Sequence, residues 1–413
     1  MSNTISRISY RIVCSILLLV LFVNAGSGQT PRYDMDLKID PDAHQLRNEL
    51  TLTVPITYFE SDTLRMMIAR DAQFDMMEAD AGNEVTINQK GEGPQMIVVT
   101  LGNERPGRVV IRMKYSLQIP VDHQINRITP GWVELNIDSF WQPFITSFPA
   151  FTYTVRLDLD KSFRVLTGDI RKRRKGRTVL ESRFPRVDIP FCASPAFTTA
   201  KSDYVEVYAS SEDIPADSVA LFADQAMTYL EEYIDEPADF KVPRIIAISP
   251  RKDVGYSRKN YIVLSKIKSV SPQRLSAYLA HEFSHYWFSE ALLSSKHHWL
   301  TESFAEYMSN IYIREAFGQE AFDQEMADKR ERIKEEPKTL AEFESRPSYL
   351  AMYHKGPLVL AGFEEHIGPE AFQKFINDFI DRNVKTNEAL FDLIEETLGS
   401  DALAKMKELR EEI

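Results

Sequence analysis

The sequence predicts an α+β protein with an N-terminal antiparallel β-sandwich or saddle domain, followed by a mostly helical domain with a small mixed sheet. Two observations predict this class. Apolar and polar residues alternate over much of the first half, which is the period of strands with one buried face. Beyond about residue 200 the apolar spacing is mainly helical. The expected segments are 1–28 for a signal peptide, 30–200 for the β domain and 201–413 for the second domain.

The length and composition fit two globular domains. The chain has 413 residues, of which 44% are hydrophobic and 27% are charged. The formal net charge of −12 argues against a general nucleic-acid-binding protein, whose binding face is usually basic. The oligomeric state does not follow from the sequence.

The first residues have the features of a cleaved secretory signal. Arg7 and Arg11 precede an apolar run, Ile12–Val23, and small residues follow it. The run is shorter than the roughly 20 residues of a transmembrane helix. We therefore expect cleavage after Ala25 or shortly beyond, export to the periplasm or the extracellular space, and no stable membrane anchor afterwards. A retained membrane anchor is the alternative.

The cysteines predict no intramolecular disulfide in the exported protein. Cys14 would leave with the signal, so that only Cys192 remains. In the segment DIPFCASPAF, Cys192 is interpreted as a small buried hydrophobic residue rather than as a nucleophile.

The β domain is predicted from repeated alternation between apolar and polar residues. In YDMDLKID, the residues Tyr33, Met35, Leu37 and Ile39 share one face of a strand. The segments ELTLTVPIT, RVVIRMKYSLQI and YTVRLDLD repeat the pattern. The basic run RKRRKGR (171–177) suggests either a polyanion site or a solvated hairpin, and the glycine inside it favours the hairpin.

The second half alternates short strands with helices. The segments DYVEVYAS, RIIAISP and YIVLSK are predicted to be strands, whereas ADSVALFADQAMTYLEEYI and most of the chain after Pro272 are predicted to be helical.

The motif HEFSH at residues 281–285 predicts a metal site. His281 and His285 are four residues apart, so a helix would stack both imidazoles on one face. Apolar residues on most sides of the expected helix, up to Leu292, indicate that it is buried. Buried imidazoles and the Glu282 carboxylate need compensation, which a single zinc ion would provide.

The third metal ligand is expected on the next helix. In WLTESFAEYMSNIYI, Glu302 lies in the first turn, and two histidines with one glutamate are a known catalytic zinc set. A metzincin is excluded because Phe288 and Ala291 occupy the positions of its glycine and third histidine. Glu306, one turn after Glu302, is either the partner of a zinc-bound histidine or a solvated charge. The adjacent pair HH at 297–298 is not expected to bind metal.

HEFSHYWF, WLTESFAEYM and YHKGPLVL together resemble the aminopeptidase N and leukotriene hydrolase family of gluzincin metallopeptidases. The resemblance extends more weakly over residues 33–413 and implies a β-rich domain before a thermolysin-like catalytic domain. It implies zinc ligands at His281, His285 and Glu302, a catalytic base at Glu282 and a catalytic tyrosine at Tyr353. Water activated by zinc and Glu282 would attack a peptide carbonyl, and the Tyr353 hydroxyl would stabilise the charged oxygen.

The chain departs from this family in three places. Only sixteen residues, 286–301, separate the second histidine from Glu302, which is shorter than the usual spacing. The segment VGYSRKNYIVL lacks the glutamate that binds the α-amine of substrates, and the cationic Arg258 and Lys259 in it would repel an amine. The sequence also stops where larger members continue into helical C-terminal domains, which suggests a short form with an open cleft.

Four residues are candidates for binding the substrate: Gly255, Lys259, Tyr261 and Glu134. The segment YIVLSK, which begins at Tyr261, is interpreted either as an edge strand that pairs with extended peptide or as a plain buried strand. Glu134 is interpreted either as a replacement for the missing amine-binding carboxylate or as an exposed strand charge.

The sequence therefore predicts an exported zinc metallopeptidase that acts on peptides or small proteins, with aminopeptidase specificity in doubt. A non-catalytic protein that binds peptides or partners and retains the zinc fold is one alternative. A hydrolase of non-peptide substrates is the other.

Overall fold

In the computed structural model, the described residues are 30–413 except 81, 89–92, 105–106, 124–125, 148, 211–214, 236–243, 251–254, 259, 266, 268–269, 289–290 and 292–294. The expected signal segment lies outside these residues. The strands, in chain order, begin with β1 (Arg32–Asp40), β2 (Gln45–Pro55), β3 (Thr63–Ile68), β4 (Gln73–Ala79), β5 (Glu84–Asn88), β6 (Gln95–Thr100), β7 (Arg108–Gln118), β8 (Arg127–Thr129), β9 (Trp132–Leu135) and β10 (Phe144–Ile145). They continue with β11 (Phe151–Asp158), β12 (Arg164–Leu166), β13 (Ile170–Arg174), β14 (Arg177–Arg186), β15 (Phe191–Ser194), β16 (Thr198–Lys201), β17 (Val205–Ala209), β18 (Arg244–Ile248), β19 (Tyr256–Arg258) and β20 (Tyr261–Leu264).

The helices follow mainly in the second half. They are α1 (Ala216–Tyr233), α2 (Pro272–Ser284), α3 (Trp299–Phe317), α4 (Gln319–Arg332), α5 (Gly356–Ile367), α6 (Pro369–Asp381), α7 (Asn387–Leu398) and α8 (Ser400–Glu412). Among the described residues, none of these helices has both the length and the apolar character needed to cross a membrane.

The Cα positions divide the chain into two compact units. The first comprises the described residues up to Thr198 together with Tyr208–Ile214 and Ile245–Lys266, and the second comprises Thr199–Val207, Pro215–Arg244 and Ile267–Ile413. The boundary near residue 200 stays a prediction.

Three sheets of the first unit account for the alternation in the sequence. Their strand orders are β13-β14-β11-β1-β2-β7-β4, β10-β3-β6-β5 and β12-β15-β9-β8. The four apolar residues of β1 that were predicted to share a face are all buried. The pairing is antiparallel as predicted, except that β1 and β11 run parallel.

The basic run 171–177 forms a hairpin between β13 and β14. Arg174 pairs with Arg177, and the two residues between them, Lys175 and Gly176, have φ angles of 49° and 81°. Two consecutive positive φ angles match the twist of antiparallel strands, and glycine adopts such an angle without steric cost.

The first unit also contains β18 from Ile245 onward, β20 and β19, which pair in that order. β18 and β20 are parallel, and β19 and β20 are antiparallel. β20 is thus paired on both sides, so the interpretation of YIVLSK as an edge strand is wrong for its described residues. β19 is the outer strand.

The second unit is helical, and its core contains a cluster of phenylalanine rings. The rings of Phe304 on α3 and Phe379 on α6 stack with their centroids 4.3 Å apart, and Phe288 and Phe375 also pack against Phe304. Aromatic pairs at such distances add to the energy of burial. This packing holds the first turns of α3, which carry part of the candidate site.

Candidate metal centre

Helix α2 carries the two histidines at its C-terminal end. The helix ends at Ser284, and His285 caps it with helical φ and ψ angles of −60° and −8°. The prediction that the helix continues towards Leu292 is therefore wrong, although His285 still lies one turn beyond His281. The two ring centroids are 4.8 Å apart, and the two Nε2 atoms are 3.2 Å apart.

A buried guanidinium explains why α2 ends there. Arg244 Nη1 donates a hydrogen bond to the Glu282 carbonyl at 3.2 Å, while the Tyr286 N–H bonds to the Phe283 carbonyl at 2.9 Å. The guanidinium also lies 4.2 Å from the centroid of the Tyr286 ring. Burial lowers the pKa of Arg244 to about 10, which leaves it protonated at neutral pH.

Glu302, in the first turn of α3, completes a cluster of three potential ligands. Its Oε2 atom lies 3.7 Å from His281 Nε2 and 3.5 Å from His285 Nε2. One ligand atom from each of the three residues lies within 4.8 Å of the other two. The structure thus brings together the three residues that the sequence proposes as ligands.

These distances fit a tetrahedral zinc ion. Bonds of about 2.0–2.2 Å from zinc to nitrogen or oxygen place tetrahedral ligand atoms about 3.3–3.6 Å apart. The three edges of the cluster are 3.2, 3.5 and 3.7 Å. A cation of zinc's size is therefore compatible with the side chains as they stand.

The Nδ1 atom of each histidine, on the side of the ring away from the cluster, has a polar partner. His285 Nδ1 lies 3.2 Å from the Phe288 carbonyl, which can only accept, so Nδ1 carries the hydrogen. His281 Nδ1 lies 3.0 Å from Glu306 Oε2. Such partners fix the ring orientation and direct the lone pair on Nε2 towards a metal. Glu306 is thus a partner of His281 rather than a solvated charge.

The charges around the cluster favour a cation. Burial lowers the pKa of His281, but the carboxylates of Glu306, Glu282 and Glu302 outweigh burial and raise it to about 9. For His285, burial dominates and lowers the pKa, which leaves a neutral imidazole that can bind metal.

Glu302 has two further hydrogen-bond partners. His298 Nε2 lies 3.2 Å from Glu302 Oε1, and the Tyr353 hydroxyl donates to Glu302 Oε2 at 2.7 Å. Burial raises the pKa of Glu302, but the charges of His285, the His298 hydrogen bond and His281 lower it well below its ordinary value. The sequence did not predict the contact of His298 with Glu302. The spacing of four residues between them was the available signal.

Tyr353 lies in a π-helical turn, Ala351–Lys355, immediately before α5. Its ring stacks on His281 with the centroids 5.5 Å apart. Burial, followed by the charge and hydrogen bond of Glu302, raises the pKa of the Tyr353 phenol well above its ordinary value. The hydroxyl therefore remains a hydrogen-bond donor at neutral pH.

The glycine of the YHKGP segment allows this turn to approach α3. A Cβ atom on Gly356 would lie 1.9 Å from Ser303 Oγ. The Ser303 hydroxyl donates to the Met352 carbonyl at 2.7 Å, which ties α3 to the π-helical turn. The residue after Glu302 is thus in direct contact with the segment that carries Tyr353.

Glu282 lies on α2 between the two histidines and is half-buried. Its carboxylate charge contributes to the raised pKa values of His281 and Tyr353, after the larger effects of burial and of other carboxylates. The side chain is thus electrostatically coupled to the cluster.

The structure does not support contact between substrate and the side chains of two candidate residues. Tyr261 is fully buried beside Cys192. Glu134 is also fully buried and accepts hydrogen bonds from Trp132 Nε1 at 2.9 Å and Ser249 Oγ at 2.7 Å, so the interpretation as an exposed charge is wrong.

The other two candidates for substrate binding are Gly255 and Lys259. Gly255 is half-buried in the loop before β19, and Lys259 lies outside the described residues. The neighbouring Arg258 is paired with the buried Asp188 at 3.2 Å, so its charge is compensated rather than available to repel an amine.

Comparisons with known proteins show what this chain is similar to. Residues 256–411 match the profile of the Peptidase family M1 domain. The chain is similar to Aminopeptidase M1-C of Oryza sativa subsp. japonica, with 23% identity over 233 residues that cover 49% of this chain and 26% of that protein. The chain thus spans about a quarter of the length of that relative.

Solved structures share the fold. An M1 zinc metallopeptidase from Deinococcus radiodurans superposes with a TM-score of 0.61 and 18% identity, covering 93% of this chain and 94% of that chain. Leukotriene A4 hydrolase from Saccharomyces cerevisiae superposes with a TM-score of 0.64 and 15% identity, covering 93% of this chain and 66% of that chain. The predicted fold, with β-rich residues before a mostly helical domain, is confirmed.

Proposed function

We propose that this chain, whose residues 256–411 match the Peptidase family M1 domain, is a zinc-dependent peptidase of that family. The observation that carries the proposal is the triangle formed by His281 Nε2, His285 Nε2 and Glu302 Oε2, whose edges match those of a zinc site. These three residues would hold one zinc ion. A bound zinc ion supplies Lewis acidity, which acidifies water and polarises a peptide carbonyl.

Glu282 is proposed as the general base. The charge of its carboxylate contributes to the raised pKa values of His281 and Tyr353, which supports a position from which it can take a proton from the attacking water. The same carboxylate can pass the proton to the nitrogen of the leaving amine. General acid–base catalysis of this kind contributes about 100- to 10,000-fold to a rate.

Tyr353 is proposed to donate a hydrogen bond to the carbonyl oxygen as negative charge develops on it. The raised pKa keeps its hydroxyl protonated, and the bond to Glu302 holds it within reach of the cluster. Losing one such donor typically lowers the rate by about 100-fold or more.

Peptides are the proposed substrates. A structural relative from Deinococcus radiodurans is described with a Tyr-ser-ala substrate, which supports this class. Because the segment before β20 lacks the amine-binding glutamate, we propose peptidase activity and leave the preference for free N-termini to the experiment.

We also propose that the protein is exported and that the leader is removed after Ala25 or shortly beyond. The charge and apolar pattern of residues 1–28 supports this proposal. The mass of the mature protein recovered from cells expressing the full chain would test it, because an uncleaved leader would contradict it.

The decisive experiment compares the protein from Gln29 onward with its Glu282→Gln variant, which keeps the shape of the side chain. Both should bind one zinc ion, and only the wild type should cleave a mixture of peptides with free and blocked N-termini. Products that lack only the first residue would identify an aminopeptidase. Zinc binding without cleavage by the wild type would refute the proposal and favour a binding protein, or a hydrolase of non-peptide substrates if such compounds are turned over.

A further inference from the structure

Lys329, on α4, is a buried cation close to the metal centre. The residue is only 3% exposed. Its ammonium lies 2.5 Å from Glu306 Oε1 and donates to the Tyr353 carbonyl at 3.1 Å. A buried ammonium is costly unless it is paired and hydrogen-bonded, and both of these partners belong to the surroundings of the metal cluster.

The contact of Lys329 with Glu306 connects it to a proposed metal ligand. Glu306 uses Oε1 for Lys329 and Oε2 for His281 Nδ1, so the carboxylate bridges the ammonium and the imidazole. A carboxylate held by an ammonium has fewer rotamers available, and hydrogen bonds to ionised groups are about twice as strong as neutral ones. The orientation of the His281 ring therefore depends on a residue that does not touch it.

The contact of Lys329 with the backbone of Tyr353 connects it to the proposed catalytic tyrosine. Lys329 Nζ binds the backbone carbonyl of Tyr353, whose side chain donates to Glu302 Oε2. A π-helical turn is rare, and its backbone hydrogen bonds join residues five apart instead of four. A side chain that binds a backbone carbonyl of this turn therefore helps to hold the turn in place. One ammonium thus contacts the supports of both His281 and Tyr353.

We propose that Lys329 is a positioning residue that fixes a zinc ligand and the catalytic tyrosine relative to each other. This proposal rests on the proposed peptidase function and adds a residue to it. The sequence offers no local signal for Lys329, because it lies 23 residues from Glu306 and 24 residues from Tyr353.

An ion pair between a half-buried guanidinium and a buried carboxylate, elsewhere in the second unit, supplies the matched control. Arg314 bonds to Glu364 at 2.7 Å, and the Glu364 side chain is only 6% exposed. The side-chain hydrogen bonds of these two residues join them to each other and to Tyr307, not to the metal cluster. Arg314→Met leaves a buried carboxylate without its cation, as Lys329→Met does, and should lower the melting temperature without changing zinc affinity.

The experiment measures three quantities for wild type, Lys329→Met, Arg314→Met and the double variant Lys329→Met/Glu306→Gln. They are the melting temperature of the metal-free protein, zinc affinity by chelator competition, and kcat with a peptide substrate. We expect Lys329→Met to weaken zinc binding and to lower kcat, each by about tenfold or more. The double variant should regain melting temperature, because no buried carboxylate is left uncompensated, but not kcat.

Two results would overturn the proposal. One is wild-type zinc affinity and kcat in Lys329→Met, and the other is recovery of zinc affinity and kcat together with melting temperature in the double variant. A wild-type protein that binds zinc but cleaves no peptide would refute the peptidase function instead, while the zinc affinities would still test the link from Lys329 to His281.

Discussion

Gly356→Ala tests whether the close approach of the π-helical turn to α3 positions Tyr353, the proposed catalytic tyrosine. The new Cβ atom would lie 1.9 Å from Ser303 Oγ and 2.4 Å from Ser303 Cβ. Because Cβ contacts below 3.0 Å essentially do not occur, the two segments must separate by at least 3.0 − 1.9 = 1.1 Å. The Ser303 side chain cannot relieve the clash by rotating, because its own Cβ atom is involved.

The displacement should affect catalysis more than metal binding. Tyr353 lies three residues before Gly356 and would move away from Glu302, whereas the three proposed ligands lie at the C-terminal end of α2 and in the first turn of α3. A misplacement of about 1 Å in an active site can cost about 100-fold in rate, and overpacking of this kind destabilises by about 1–3 kcal/mol. We therefore expect kcat to fall by about 100-fold while zinc affinity changes little.

The assay compares kcat, zinc affinity and melting temperature with those of Gly362→Ala. At Gly362, in the same helix, an added Cβ would meet only the end of the Leu409 side chain, 2.9 Å away, which can move. This control should retain wild-type kcat. Ser303→Gly combined with Gly356→Ala should recover part of the activity. Wild-type kcat in Gly356→Ala would refute the reasoning.

Two further predictions concern hydrogen bonds and burial. His298→Ala removes the partner of Glu302 Oε1 and should weaken zinc binding about 10- to 100-fold in a chelator titration. His297→Ala is the control, because the His297 ring accepts a hydrogen bond from the Asn387 N–H and not from the cluster. It should leave zinc affinity unchanged. Burial, which outweighs the charge of Arg258, raises the pKa of Asp188 from 3.8 to about 6. The protonated Asp188 carboxyl group therefore contributes to the free energy of unfolding. This contribution is fully present below pH 3.8 and is lost as the pH rises through 6. The free energy of unfolding should therefore fall by up to about 3 kcal/mol over this range relative to Asp188→Asn, and parallel pH profiles would contradict this prediction.

The features predicted well from the sequence depend on local spacing. The alternation in β1 places its apolar residues on the buried face because side chains on a strand point to opposite sides in turn. The spacing of four residues from His281 to His285, and from Glu302 to Glu306, places each pair one turn apart. Periodicity of this kind needs no knowledge of tertiary structure.

The features that were missed depend on contacts between distant segments. An apolar run such as that of β20 does not reveal whether a strand has one neighbour or two, so its inner position became clear only from the pairing. A charged residue such as Glu134 within a strand is usually exposed, but here its carboxylate is buried and accepts hydrogen bonds from Trp132 and Ser249. Arg244 ends α2 through a contact made 38 residues away in the chain.

The three proposed ligands come from opposite ends of two helices. His281 and His285 lie at the C-terminus of α2, where the peptide dipoles leave a partial negative charge, and Glu302 lies at the N-terminus of α3, where they leave a partial positive charge. The backbone thus favours a cation beside the imidazoles and an anion at the carboxylate. This field belongs to the peptide groups themselves, so no exchange of a single side chain abolishes it.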